Sequence, residues 1–261
     1  MSDAQNPYAA PIAPLQTPVV VPGNFTPNGR AVDVSAGVDW IKSGFRMFFA
    51  APLPWLVAIA AFFGAVVVLS FIPFLNLALF IGGPVVTAGF FAAGEKLSRT
   101  GKLDVSDFFR GFRERTGELL IVGLVTFGAS LVAGLIAFLI AGGSAIFTLI
   151  ASADTSSPET LKHLAIQAVL GGLIYLALII PVSMAMWFAP GLVLLARLPP
   201  LDALKQSFNA CLKNFVPFLV FGLLTGLLFI AACIPLFLGL FVIAPAFMAM
   251  FYTAYVSIFE T

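Results

Sequence analysis

The sequence predicts an all-α integral membrane protein with six transmembrane helices, built as three repeats. Each repeat is an interfacial amphipathic helix followed by a two-span hairpin whose second span is kinked by proline. Three observations predict this. First, the 261 residues are 61% hydrophobic and 10% charged, with a mean hydropathy of +1.07, far from the composition of soluble domains. Second, the stretch DWIKSGFRMFFAAPLPWLV at 39–57 recurs without a gap as DALKQSFNACLKNFVPFLV at 202–220, with Asp39/Asp202, Lys42/Lys205, Phe45/Phe208, Pro54/Pro217, Leu56/Leu219 and Val57/Val220 identical; such self-similarity marks a repeated module. Third, Pro84, Pro181 and Pro245 each sit inside an apolar run, and each is followed at the sixth and seventh positions by an aromatic pair: Phe90-Phe91, Trp187-Phe188 and Phe251-Tyr252.

Residues 1–33 hold six prolines and almost no charge. They cannot bury a core and read as a disordered, proline-rich tail without the apolar run of a cleavable signal. Within the tail, Asn6-Pro7-Tyr8-Ala9-Ala10-Pro11 is a candidate docking motif. The first repeat, 34–98, opens with Val38, Ile41, Phe45 and Phe48/Phe49 on one helical face and Lys42 and Arg46 on others. Such a helix belongs in the membrane interface, its basic groups toward lipid headgroups. Pro52 and Pro54 end it. A first span over 54–72, a turn near Asn76 and a second span over about 76–95 follow.

The second repeat, 99–198, opens in the most charged segment of the chain. Val105, Phe108, Phe109 and Phe112 mark an apolar face, Asp104 or Ser106 could cap it, and Arg110, Arg113 and Arg115 flank it. Laying Asp107-Phe108-Phe109-Arg110-Gly111-Phe112 on residues 39–45 with one residue deleted gives a third, weaker copy of the module. Both apolar runs of this repeat exceed the ~20 residues that cross a bilayer. The excess, roughly 141–173, forms an extended outer hairpin with Gly142-Gly143 and Gly171-Gly172 as places to bend. The third repeat, 199–261, carries Lys205 and Lys213 on its amphipathic helix.

Every Lys and Arg except Lys162 falls before span one, between spans two and three, or between spans four and five. The positive-inside rule then places both termini in the cytoplasm. No ionisable side chain lies at membrane depth, which argues against proton or sodium coupling. The single histidine, His163, stands at a span end, and no metal-ligating, phosphate-cradling or nucleophile-and-base pattern occurs. The two cysteines, Cys211 and Cys233, read as packing residues; on one continuous helix they would stand some 30 Å apart. No enzyme, cofactor or metal is expected.

The residues Gly44-Phe45-Arg46-Met47-Phe48, Gly83-Pro84-Val85-Val86-Thr87-Ala88-Gly89, Trp187-Phe188-Ala189-Pro190-Gly191 and Asn214-Phe215-Val216-Pro217-Phe218-Leu219-Val220 carry a resemblance. Over about 34–261 the chain resembles an uncharacterised family of proteobacterial inner-membrane proteins. More distantly it resembles the membrane domain appended to some glycerophosphodiester phosphodiesterases, whose catalytic domain is absent. The resemblance implies a multi-pass protein of the bacterial inner membrane and brings no activity with it.

The functional expectation is therefore a scaffold or accessory subunit. Membrane lipids and a membrane protein are its expected partners, and nucleic acid is not. Lys42, Arg46, Arg110, Arg113, Arg115, Lys205 and Lys213 are the candidate headgroup contacts. The alternative is an uncoupled channel or carrier for a lipid or apolar solute, its cavity bordered by Pro84, Pro181 and Pro245 and softened by Met184 and Met248.

Overall fold

The computed structural model describes residues 25–72, 75–151 and 157–260. In chain order it holds α1 (Ala36–Ala50), α2 (Pro52–Ser70) and α3 (Leu75–Thr100), then a 3-10 turn (Val105–Phe109) leading into α4 (Arg110–Arg113). Next come α5 (Thr116–Ala137), a π-helical segment (Phe138–Gly142), α6 (Gly143–Ala151), α7 (Pro158–Leu194), α8 (Pro200–Lys213), α9 (Phe215–Cys233) and α10 (Leu240–Phe259). Among the described residues there is no strand, only an isolated antiparallel bridge between Phe25 and Glu260. Six helices among these residues are long and apolar enough to cross a membrane.

Local chemistry explains where the helices begin. Pro52, Pro158 and Pro200 open α2, α7 and α8 in their first turns, where a missing N–H costs nothing. Ser157 caps α7, its hydroxyl accepting from the Thr160 amide at 3.2 Å. Asp104 stands before the 3-10 turn and donates its amide to Asp107 Oδ2 at 2.8 Å. Pro84, Pro181 and Pro245 lie inside α3, α7 and α10, each of which runs unbroken through its proline.

Several expectations shift. The first span starts at Pro52 rather than 54, and α3 runs from Leu75 through the charged residues to Thr100, so Asn76 is helical. The apolar face of α1 is rotated: Gly37, Trp40, Ile41, Gly44 and Phe48 are buried, whereas Phe49 is 63% exposed. Glycine contributes nothing to a hydropathy pattern, yet it marks the side that meets the neighbouring helix. The second amphipathic segment is not one helix but a 3-10 turn and a single α-turn, with Phe108 buried and Phe109 and Phe112 exposed. In the long hairpin the irregularity is the π-helical segment ending at Gly142, and Gly171 packs where a Cβ would lie 2.9 Å from the Ala141 methyl. Of the proline-rich tail, 1–24 with its candidate motif lies outside the described residues, while 25–33 is held against the helices as set out below. The tip residues 152–156 also lie outside.

Hairpin length differs sharply around the bundle. The 37 residues of α7 extend roughly 55 Å at the α-helical rise, against roughly 28 Å for the 19 residues of α2. The buried core sits at the charged end, in the stretches of α3, α7 and α10 that follow their prolines. Against these the short helices pack: α1 on α10, the 3-10 turn with α4 on α3, and α8 on α7. Each contact brings backbone close to backbone or replaces a carbon by a hydroxyl. A Cβ on Gly44 would stand 3.0 Å from Met250 N, and one on Gly111 would stand 2.1 Å from Val85 O. At the third contact Ser207, fully buried, donates its hydroxyl to Met184 O at 2.8 Å and accepts from the Phe188 amide at 2.9 Å.

Aromatic rings then fill the middle. Trp187 stacks on Phe251 with centroids 4.8 Å apart, Phe91 meets Phe251 edge-on at 6.5 Å, and Phe188 meets Phe259 edge-on at 5.4 Å. The Phe91 ring lies against Gly191 and the Tyr252 ring against Gly94, each too close for a Cβ. Five of the six aromatic residues that follow the prolines therefore meet another of α3, α7 and α10 through a ring contact or a bare glycine. The sixth, Phe90, turns outward to Trp55 and Phe108.

Candidate functional surfaces and cavities

The basic residues fall into two groups. Arg110 is committed internally: it donates to Glu95 Oε2 at 2.8 Å and to Glu114 Oε1 at 2.8 Å. Glu95, which is largely shielded, also holds Arg99 at 3.0 Å. Arg115 pairs with Glu118 at 3.2 Å, Arg113 donates to Ser106 O, and Lys213 donates to the carbonyls of Asn28 and Gly29. Lys42 stands 3.8 Å from Asp39, both well exposed. Arg46 and Lys205 are exposed and have no carboxylate partner among the described residues.

Carboxylates at this end feel opposite influences. The Arg110 guanidinium, hydrogen-bonded to Glu114, holds that carboxyl below its usual value. Burial pushes the Glu260 carboxyl above it, partly countered by Arg99. The folded protein therefore binds a proton at Glu260 before the unfolded chain does, so stability rises as pH falls through the raised Glu260 value. Stabilisation by Glu114 is present above the unfolded carboxylate value and is lost as pH falls through its lowered one. The thermal midpoint in detergent should rise from pH 7 toward the Glu260 titration and fall in stronger acid. In Glu260→Gln the rising limb should disappear; an unchanged limb would assign it to another group.

Asn214, fully buried between α8 and α9, organises the segment before α1. Its Oδ1 accepts from the Val32 amide at 2.8 Å, and its Nδ2 donates to Arg30 O and Ala210 O, both at 2.9 Å. Around it Asn28 N donates to Gln206 Oε1, Arg30 Nε to Ser257 O, Thr26 N to Phe259 O, and Phe25 stacks on Phe259. Residues 25–33 thus form a strap across the ends of α8 and α10.

Among the described residues, cavities lie between neighbouring helices, four of them as follows. One of about 340 Å³ between α7, α8 and α9 includes Met184, Trp187, Cys211 and Phe218, and one of about 220 Å³ includes Val86, Phe109 and Phe112. A third, of about 250 Å³ between the π-helical segment and α7, includes Gln167. The fourth, of about 400 Å³, lies between α3, α5 and α7 and includes Gly83, Ser183 and Met186. None of these four is lined by Pro84, Pro181, Pro245 or Met248. Pro84 and Pro245 are buried in packing and Pro181 is exposed. Cys211 and Cys233 lie on separate helices; burial pushes the Cys211 thiol up to about 12, in keeping with a packing role, whereas Cys233 is exposed.

Asn214 escapes pattern reading because it is a lone polar residue at a helix junction. The cavity hydroxyls escape it because each is one Ser, Thr or Tyr in an apolar run.

Fold and surface together define a helical membrane protein with six apolar helices around an aromatic-packed centre. The chain is similar to a probable inner membrane protein of Burkholderia thailandensis, 28% identical over 204 residues, which cover 75% of this chain and 74% of that protein. No family model and no solved structure matches the chain.

Proposed function

We propose that the protein is a non-catalytic scaffold or accessory subunit of the bacterial inner membrane, both termini cytoplasmic, contacting lipid headgroups around its charged end. The observation that carries this reading is the aromatic centre: Phe91, Trp187 and Phe251 fill the place where a central path would run. Three repeats closed head to tail would give this arrangement, since each short helix or turn packs on the proline-bearing helix of the preceding repeat, and α1 on that of the last. The likeness to the phosphodiesterase membrane domain would extend to this architecture only.

Of the candidate headgroup contacts, Arg46 and Lys205 are best placed, because no carboxylate neutralises them; Lys42 follows. Arg110 and Arg115 are engaged with carboxylates, while Arg113 and Lys213 donate to carbonyls. The expected result is that Lys42→Gln/Arg46→Gln/Lys205→Gln retains less anionic phospholipid when extracted in native-lipid nanodiscs, with the melting midpoint kept. The same mass spectra identify proteins that come along. A stoichiometric partner supports the scaffold reading. An unchanged lipid complement together with no co-purifying protein would overturn it.

A carrier for a lipid or apolar solute, without proton or sodium coupling, is the second reading. What favours it is that cavities lie between neighbouring helices whose outer faces are apolar, as lateral entry from a bilayer would require.

A further inference from the structure

The cavity between α3, α5 and α7 differs from the others in its hydroxyl content. Thr126 and Ser130 reach it from α5, and Tyr175 and Ser183 from α7; Ser183 is exposed and also borders the cavity between α7, α8 and α9. Leu79, Phe80, Ile179, Val182 and Met186 supply apolar wall. The α5 hydroxyls are spent on their own helix, Thr126 donating to Val122 O at 2.9 Å and Ser130 to Thr126 O at 2.8 Å. By contrast, the Tyr175 and Ser183 hydroxyls have no hydrogen-bond partner among the described residues. Both belong to the apolar stretch of α7, where the surroundings are hydrocarbon and an unpaired hydroxyl is costly. Gly83 and Met186 close one side, a Cβ on Gly83 lying 4.0 Å from the Met186 methyl, and Pro84 leaves the Phe80 carbonyl without its helical donor. Tyr175, its ring against Gly134 and 40% exposed, stands at the mouth.

We propose that this cavity binds a neutral lipid-soluble molecule through two carbonyl oxygens, one accepting from Tyr175 and the other from Ser183, which stand about 12 Å apart along α7. Neutrality follows from the lining, which contains no Asp, Glu, Lys, Arg or His. A pair of carbonyls follows from the two separated O–H donors, since the α5 hydroxyls have already spent theirs. The volume of about 400 Å³ is that of a small-molecule site, large enough for a polar head while an apolar tail leaves past Tyr175 into the bilayer. Two membrane constituents present such chemistry, the ester carbonyls of a diacylglycerol and the ring carbonyls of an isoprenoid quinone. The site stands apart from the scaffold reading and does not depend on it.

The test uses the full chain in nanodiscs of defined phospholipid, with a diazirine-bearing diacylglycerol and a diazirine-bearing isoprenoid quinone as separate probes. One of them should label peptides of α3, α5 or α7 saturably, with competition by its unlabelled parent, and that probe names the source. Tyr175→Phe and Ser183→Ala, made singly, should each weaken half-saturation about fivefold, the factor for one hydrogen bond of about 1 kcal/mol. Both variants remove only an unpaired hydroxyl, so the melting midpoint should hold; should one variant misfold, the other and the wild-type peptide map decide. Labelling that is unsaturable, scattered over all six apolar helices, or unchanged in the folded variants overturns the proposal.

Discussion

Alanine at Gly89 or Gly111 should unfold the charged end of the protein, while alanine at Gly128 should leave it intact or slightly more stable. A Cβ on Gly89 would stand 1.8 Å from the Phe108 carbonyl oxygen, and one on Gly111 would stand 2.1 Å from that of Val85. In both cases the atom met is backbone, which cannot rotate away, so the 3-10 turn and α4 must lift from α3. Lifting them uncovers Phe108 and parts the Glu95–Arg110 ion pair. A cost above about 3 kcal/mol is expected, at the upper end of what overpacking exacts. Gly128 has no atom within 4 Å of its Cβ position, so there the ordinary preference of a helix for alanine, about 0.5–1 kcal/mol, should dominate. Denaturation in mixed micelles reads the difference. Equal midpoints for Gly89→Ala and Gly128→Ala would show that the 3-10 turn does not pack against Gly89 of α3.

The second large effect is expected at Asn214. Its replacement by alanine empties a fully buried position and deprives the part-buried Val32 amide and Arg30 carbonyl of their partner. Unsatisfied buried groups cost about 1–3 kcal/mol each and part-buried ones less, and the other strap bonds to the helices all lie at or before Arg30, which leaves the stretch next to α1 to Asn214. Limited proteolysis should therefore cut within 25–34 many times faster in Asn214→Ala, before any cleavage between the apolar helices. Cleavage rates equal to wild type would mean that the outer contacts, Lys213 to Asn28 and Gly29 and Phe25 on Phe259, hold the strap unaided.

What the sequence made legible was whatever composition and spacing encode. Six apolar runs, the position of the long hairpin and the three proline-and-aromatic pairs could all be read, because the hydrophobic requirement of a bilayer acts on every residue of a span. Contacts made through absence were harder to read. Gly37, Gly44, Gly89, Gly111 and Gly123 carry close approaches to neighbouring elements, yet a hydropathy pattern scores them as gaps, which is why the face expected for α1 was rotated away from Trp40. The internal engagement of Arg110 was hidden for a different reason. Charge counted along the chain says nothing about Glu95, fifteen positions earlier, which folding brings to 2.8 Å. Tyr175 and Ser183 needed three helices in place before their missing partners could be noticed.

The docking of α1 on α10 also imposes an order on biogenesis. The buried face of α1, with Trp40 donating its indole N–H to Ser257 at 2.6 Å and Gly44 against Met250, is made well before α10 and waits for it. With some 200 residues between them and synthesis at about 5–20 residues per second, that face stays uncovered for roughly 10–40 s. Through that interval Trp40, Ile41 and Phe48 offer an apolar stripe to the membrane surface or to a chaperone. A nascent chain halted before α10 leaves the strap without Ile258 and Phe259 to rest on, and α1 without its seat. Completion of the last turn of α10 is thus the event that locks α1 and the strap in place.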